Sequence, residues 1–134
     1  MPNDGKWWRG NTREDFELFL KEAWDPGTTR VAYPECDGCG CLVYRITVKP
    51  GAGARRSCVA CGQSQGMCGF DRTDGLEKVT CNCGKNQFEI AVAHAAGPPA
   101  RLCVARRCLA CGTLDVATSW ELPSGATDAL LDQA

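Results

Sequence analysis

The chain is predicted to have a small, mainly-β fold: one amphipathic α-helix followed by two tandem copies of a three-stranded, cysteine-bearing hairpin. Three observations predict it. Residues 54–62 read Ala-Arg-Arg-Ser-Cys-Val-Ala-Cys-Gly and residues 105–112 read Ala-Arg-Arg-Cys-Leu-Ala-Cys-Gly, so the chain contains an internal repeat. Each of these stretches follows a closer cysteine pair that also ends in Cys-Gly: Cys36 and Cys39-Gly40 in one copy, Cys81 and Cys83-Gly84 in the other. Aligning those glycines sets Tyr44, Ile46 and Val48 over Phe88, Ile90 and Val92, an apolar row of period two in both copies and the mark of a half-buried strand.

The helix comes first, over residues 12–24. Thr12 is a natural N-cap, and Asp15 occupies the reciprocal position of a capping box. Phe16, Phe19, Leu20, Ala23 and Trp24 fall on one face at helical spacing. Glu14, Asp15 and Glu17 place negative charge at the N-terminal end, where the helix dipole favours it. Asp25-Pro26-Gly27 stops the helix. The apolar face is expected to pack on the hairpins as a lid. Trp7 and Trp8 just upstream keep a partner-docking role open, because exposed tryptophans favour interfaces.

In each copy the first strand runs into a loop, 49–53 in one and 94–99 in the other, and the returning strand leads through the Arg-Arg pair to the second cysteine turn. A third strand follows. In the second copy Leu114, Val116, Thr118, Trp120 and Leu122 alternate, and Phe70 stands where Trp120 does. Residues 71–75 form a connecting turn, 76–80 an ambiguous short strand, and the chain from Ser124 onward is expected to fray.

Two cysteines on a tight turn aim both sulfurs at one point, and the glycine that follows accepts the positive φ the turn needs. Two such turns at opposite ends of a hairpin bring four thiolates together, the donor set of a tetrahedral soft-metal site. The sets are Cys36, Cys39, Cys58 and Cys61, and Cys81, Cys83, Cys108 and Cys111. Cys81 and Cys83 stand one residue closer than the usual turn. Cys39-x-Cys41 imitates that spacing, so Cys41 is an alternative ligand in place of Cys36 or Cys39. Cys41, Cys68 and Cys103 lie outside the repeat and read as small buried hydrophobes, with a third site shared with His94 as the alternative.

This pattern resembles the zinc ribbon, a three-stranded β-module gripping one zinc between two cysteine knuckles. The resemblance covers residues 36–70 and 81–122. It implies two tandem three-stranded zinc ribbons preceded by one amphipathic α-helix, with two Zn²⁺ ions. The same knuckles resemble rubredoxin, where iron takes the place of zinc and carries an electron. The division that follows is an N-terminal helical segment at 1–35, a first ribbon at 36–70, a second at 71–123 and a flexible tail at 124–134.

Composition narrows the function classes. With 134 residues and 7% aromatics, neither half can bury much core, so a metal cross-link is expected to do part of the folding. Eleven cysteines, an odd count, with no apolar leader near Met1 point to a reducing, cytoplasmic setting rather than a disulfide framework. No stretch approaches the ~18 apolar residues of a membrane span, so no membrane partner is expected. Net charge is −1, unevenly spread: residues 36–70 carry +3 and residues 1–35 carry −2. Two metal–thiolate centres would take the total to about −5, unlike a general nucleic-acid binder. Each quartet is a closed shell without a position for water, and one histidine supports no catalytic triad, so no enzyme is expected.

The leading expectation is a non-enzymatic zinc protein that binds a protein partner as an interaction or regulatory module, through Trp7, Trp8 and the helix. The alternative is a nucleic-acid-binding or transcription-machinery accessory using Arg55, Arg56, Arg106 and Arg107, which repeat beside the second knuckle with Arg101 and Lys49 nearby and make a basic stripe if both copies point one way. A rubredoxin-like iron electron carrier is the second alternative.

Overall fold

The computed structural model describes residues 8–10, 12–68, 70, 72, 74–97, 99–122, 131 and 134. Trp7 and most of the tail expected to fray lie outside them, as do the side chains of Trp8 and Arg9. The strands are β1 (Trp8–Arg9), β2 (Thr28–Ala32), β3 (Tyr44–Lys49), β4 (Gly53–Cys58), β5 (Ser64–Gly66), β6 (Glu77–Lys78), β7 (Phe88–Ala95), β8 (Arg101–Cys108) and β9 (Thr113–Glu121). They form one antiparallel sheet in the order β1-β9-β8-β7-β3-β4-β5, with β2 also on β7 and β6 also on β3.

The repeat is visible residue by residue in the register. Tyr44 faces Cys58 and Ile46 faces Arg56 in one hairpin; Phe88 faces Cys108 and Ile90 faces Arg106 in the other. The third strands match too, with Gln65 beside Arg56 and Asp115 beside Arg106. The hairpins meet where Tyr44 pairs with Phe88. These are equivalent residues on antiparallel strands, so a local two-fold axis passes between them and relates the copies as an isologous pair. The strand leading into each copy is exchanged: β2, just before Cys36, pairs with β7 at Ala32 and Val92, while β6, just before Cys81, pairs with β3 at Glu77 and Val48.

A two-fold axis normal to the sheet keeps equivalent residues on the same face. On one face Tyr44, Ile46, Val48, Ala54, Cys58, Phe88, Ile90, Val92, Leu102, Val104 and Cys108 form a shared core with Met67, Leu122 and Leu131. Leu131 is thus buried, and Ala134 accepts a hydrogen bond from Arg56, so the two described tail residues are docked on the sheet. The opposite face of the second hairpin carries the small side chains Ala91, Ala93, Cys103 and Ala105, and helix α1 (Arg13–Phe19) packs there through Phe16, Phe19 and Leu20. Its capping box forms as expected: the Asp15 N–H donates to Thr12 Oγ1 at 3.1 Å and the Thr12 N–H to Asp15 Oδ2 at 3.2 Å.

Four expectations need correction. The helix does not run as α-helix to Trp24: Leu20–Trp24 is a π-helical turn, closed by Asp25 N–H donating to Leu20 O at 2.8 Å. The wider turn rotates Ala23 off the buried face and leaves it exposed. The helical segment 1–35 also contains two strands: β1 pairs with β9, and Thr28–Ala32 supplies a partner to the free edge of β7. His94 and Ala95, expected in the hairpin loop, extend β7. The row from Leu114 to Leu122 does not share one face. A bulge lets Ala105 pair with Val116 but Val104 with Thr118. Leu114 and Val116 therefore join the helix-covered side, while Trp120 and Leu122 join the shared core.

Candidate metal centres

Four turns of one design build the two sites. Gly40, Gly62, Gly84 and Gly112 all have φ between 76° and 90°, a conformation glycine enters without cost. In three turns the glycine N–H donates to the carbonyl of the first cysteine four residues back, as in Gly40 to Cys36, Gly62 to Cys58 and Gly112 to Cys108, at 2.7–2.9 Å. In the short turn Gly84 donates to Cys81, three residues back, at 2.8 Å. Dropping one residue tightens the turn by one hydrogen-bond class and leaves its sulfurs aimed as before.

The sulfurs converge in the same crossed pattern at both sites. Cys36 Sγ lies 3.6 Å from Cys61 Sγ and Cys39 Sγ 3.5 Å from Cys58 Sγ. Cys81 lies 3.5 Å from Cys111 and Cys83 3.6 Å from Cys108. Within each quartet all four Sγ atoms lie within 4.8 Å of one another. A tetrahedron with metal–sulfur bonds of about 2.3 Å has sulfur–sulfur edges of about 3.8 Å. Both quartets fit that size and could hold a metal ion.

Backbone and side-chain donors favour thiolate in each set. The Cys61 and Ala60 N–H groups bring Cys58 down to about 6 against the opposing effect of burial. Burial works against Cys111 as well, but the Thr113 hydroxyl, 3.0 Å from its sulfur, and the Thr113 N–H bring it to about 6. The Cys41 N–H favours the thiolate of Cys39, yet its hydrogen bond with Cys58 pushes it up to about 12. Gln63, at the position equivalent to Thr113, offers Oε1 3.8 Å from Cys36 Sγ. These two neighbours were not read from the sequence; their signal is a polar residue two places after the last knuckle cysteine of each copy.

The remaining thiols stay out of the quartets. Cys41 Sγ accepts from Val43 N–H at 3.4 Å. Cys68 is buried with φ of 53°, and Cys103 is fully buried beneath the helix. Burial pushes Cys68 up to about 11. His94 Nδ1 lies 2.8 Å from Thr29 Oγ1. The alternative third site of Cys41, Cys68, Cys103 and His94 is not assembled: among the described residues, the two quartets are the groups that converge. All eleven cysteines are free thiols.

The four arginines of the repeat divide between the two faces. Arg56 and Arg106 are buried, with guanidinium carbons 4.8 Å from the Tyr44 ring centre and 4.9 Å from that of Phe88. Arg56 Nη2 donates to Gln65 Oε1 and Ala134 O, and Arg106 Nη2 to Asp115 Oδ2. Arg107 is paired with Glu89, its Nε 2.7 Å from Oε1. Among the described residues Arg55 reaches the Ser64 hydroxyl, at 3.5 Å. Arg56 and Arg106 turn inward, so the four arginines do not share one exposed face. The helix likewise turns Phe16, Phe19 and Leu20 onto its own sheet, which leaves Leu18 as its one exposed large apolar side chain.

No helix among the described residues is long and apolar enough to cross a membrane. No family model matches the chain, and no curated protein or solved structure shows significant similarity to it.

Proposed function

We propose that the chain is a non-enzymatic tandem zinc-ribbon module. In this reading two structural Zn²⁺ ions, one per quartet, hold a rigid sheet that acts by binding a macromolecular partner. The observation that carries the proposal is the pair of four-sulfur groups with matching edges of 3.5–3.6 Å. Cys36, Cys39, Cys58 and Cys61 would hold one ion and Cys81, Cys83, Cys108 and Cys111 the other. Four protein thiolates around zinc leave no position for a reacting water, which favours a structural over a hydrolytic role. The ion would supply a cross-link between the two cysteine turns at the open end of each hairpin, in a protein whose halves are too small to be held by apolar burial alone.

Elemental analysis of the native protein, with a melting curve before and after chelation, tests the reading. The expected result is two zinc ions per chain, a colourless solution and loss of cooperative melting once the metal is stripped. Fewer than two ions per chain, or a melting temperature indifferent to chelation, overturns it. A red protein with two bound irons would transfer the same sites to the electron-carrier alternative.

A further inference from the structure

The two-fold relation between the copies allows each surface to be compared with its counterpart. In the second hairpin the face that carries Ala91, Ala93, Cys103, Ala105 and Leu114 is the seat of helix α1. The register puts Thr47, Lys49, Gly53, Arg55 and Ser64 at the same positions of the first hairpin. Arg45 stands on this face too, and β6 adds Lys78 beside Thr47. The apolar seat has become a flat lattice of four cations and hydroxyls. Arg45 and Lys78 are exposed, and Lys49 and Arg55 are half-exposed. Among the described residues none of the four is paired with a carboxylate. Phe70 closes one end. A β-carbon on Gly53 would meet its ring at 2.2 Å, so the half-exposed ring lies over Gly53 on this same face.

We propose that this face of the first hairpin binds the sugar–phosphate backbone of a single-stranded nucleic acid, with Arg45, Lys49, Arg55 and Lys78 on phosphates and Phe70 as a stacking platform. The argument is one of complementarity. A protein helix or strand would need apolar area to bury, and the substitutions from the second copy to the first remove it. Same-face positions on a strand stand about 6.6 Å apart, so Arg45 and Lys49 lie about 13 Å apart with the Thr47 hydroxyl between them; Arg55 and Lys78 flank Thr47 on the neighbouring strands, and an aromatic ring borders the group. That combination suits a flexible polyanion with flat bases. Arg55 and Lys49 are shared with the basic group noted in the sequence. The inference rests on the ions being structural, since they hold β3 and β4 in register.

Fluorescence anisotropy of the zinc-loaded full chain tests it, using fluorescein-labelled 16-nucleotide oligothymidine, a mixed-sequence RNA of the same length and a labelled polyglutamate as probes. Four phosphate contacts on a single strand predict a salt slope of about −3, so affinity for both oligonucleotides should fall about 50-fold between 50 and 200 mM salt. Arg45→Ala/Arg55→Ala/Lys78→Ala should bring the slope to about −1 or shallower and weaken binding at 50 mM salt at least tenfold. Arg45→Ala/Lys78→Ala, which touches only exposed side chains, should lose about half the slope. Phe70→Leu should weaken binding about tenfold with the slope kept. Lys21→Ala, on the helix, should change nothing. No binding at 25 mM salt, a triple variant that binds like the parent, or polyglutamate bound as tightly as the oligonucleotides each overturns the proposal, the last in favour of an acidic protein. Zinc content and melting temperature of the same samples keep the two readings apart: a folded two-zinc protein that ignores the oligonucleotides overturns this inference alone.

Discussion

The two hairpins carry the same frame and different faces. Both place a knuckle glycine at positive φ, a guanidinium over an aromatic ring, and two crossed sulfur pairs at one end. The second hairpin is buried on both sides, against the shared core and against helix α1; the first is buried on one side and basic on the other. The lesson is that the cysteine turns and an internal cation–aromatic pair recur together in both hairpin frames. The outward face is then free to become a helix seat in one copy and a charged surface in the other.

The largest predicted effect breaks one centre at a time. On the proposed function, Cys108→Ser and Cys58→Ser should each lower the metal content from two ions to one. A structural zinc contributes roughly 10–16 kcal/mol of apparent binding free energy, comparable with or above the whole stability of a small domain. Cys108 sits in the hairpin that serves both cores, so its loss should abolish cooperative melting. Loss of Cys58 should unravel the first hairpin while amides of α1, β7 and β8 stay protected in hydrogen exchange. Equal loss of protection in the two variants would show that the copies fold as one unit and would break the comparison.

A smaller effect separates the faces. Ala105 is fully buried beneath the helix, whereas its equivalent, Arg55, is half-exposed. Ala105→Leu overpacks the helix seat and should cost about 1–3 kcal/mol, a fall in melting temperature of several degrees. Arg55→Leu should stay within about 0.5 kcal/mol of the parent. Similar losses at the two sites would mean that the first hairpin is covered too.

Much of this was legible in the sequence because the repeat carries geometry. The alignment of Tyr44 with Phe88 and of Arg56 with Arg106 set the register of both hairpins, and the structure places those pairs as equivalents. Both sulfur quartets were legible for the same reason, since glycine after each second cysteine marks the turn. What escaped was non-local. Nothing in Thr28–Ala32 announces that its partner is the end of β7, some sixty residues on. The extra residue that moves Trp120 to the other face breaks no alternation in the sequence, because a bulge is defined by the partner strand. The division of the arginines between faces follows from strand parity: Arg55 and Arg56 are adjacent and must point oppositely. The exchange of β2 and β6 between copies was invisible, because each lies next in sequence to the copy it does not pair with.

The smallest predicted effect lies on the two-fold axis itself. Tyr44 and Phe88 are equivalent, both are fully buried, and each lies under a guanidinium. They differ by one hydroxyl, and the Tyr44 oxygen is buried without a hydrogen-bond partner among the described residues. An unsatisfied buried hydroxyl contributes no bond and keeps its desolvation cost, so Tyr44→Phe should leave stability unchanged or raise it by up to about 1 kcal/mol. Phe88→Tyr puts a second such hydroxyl into the core and should cost about 1–3 kcal/mol. Chemical denaturation of the two zinc-loaded variants would read both values. A clear loss in Tyr44→Phe would reveal that the hydroxyl has a partner, and the two copies would then differ at their axis as well as on their outer faces.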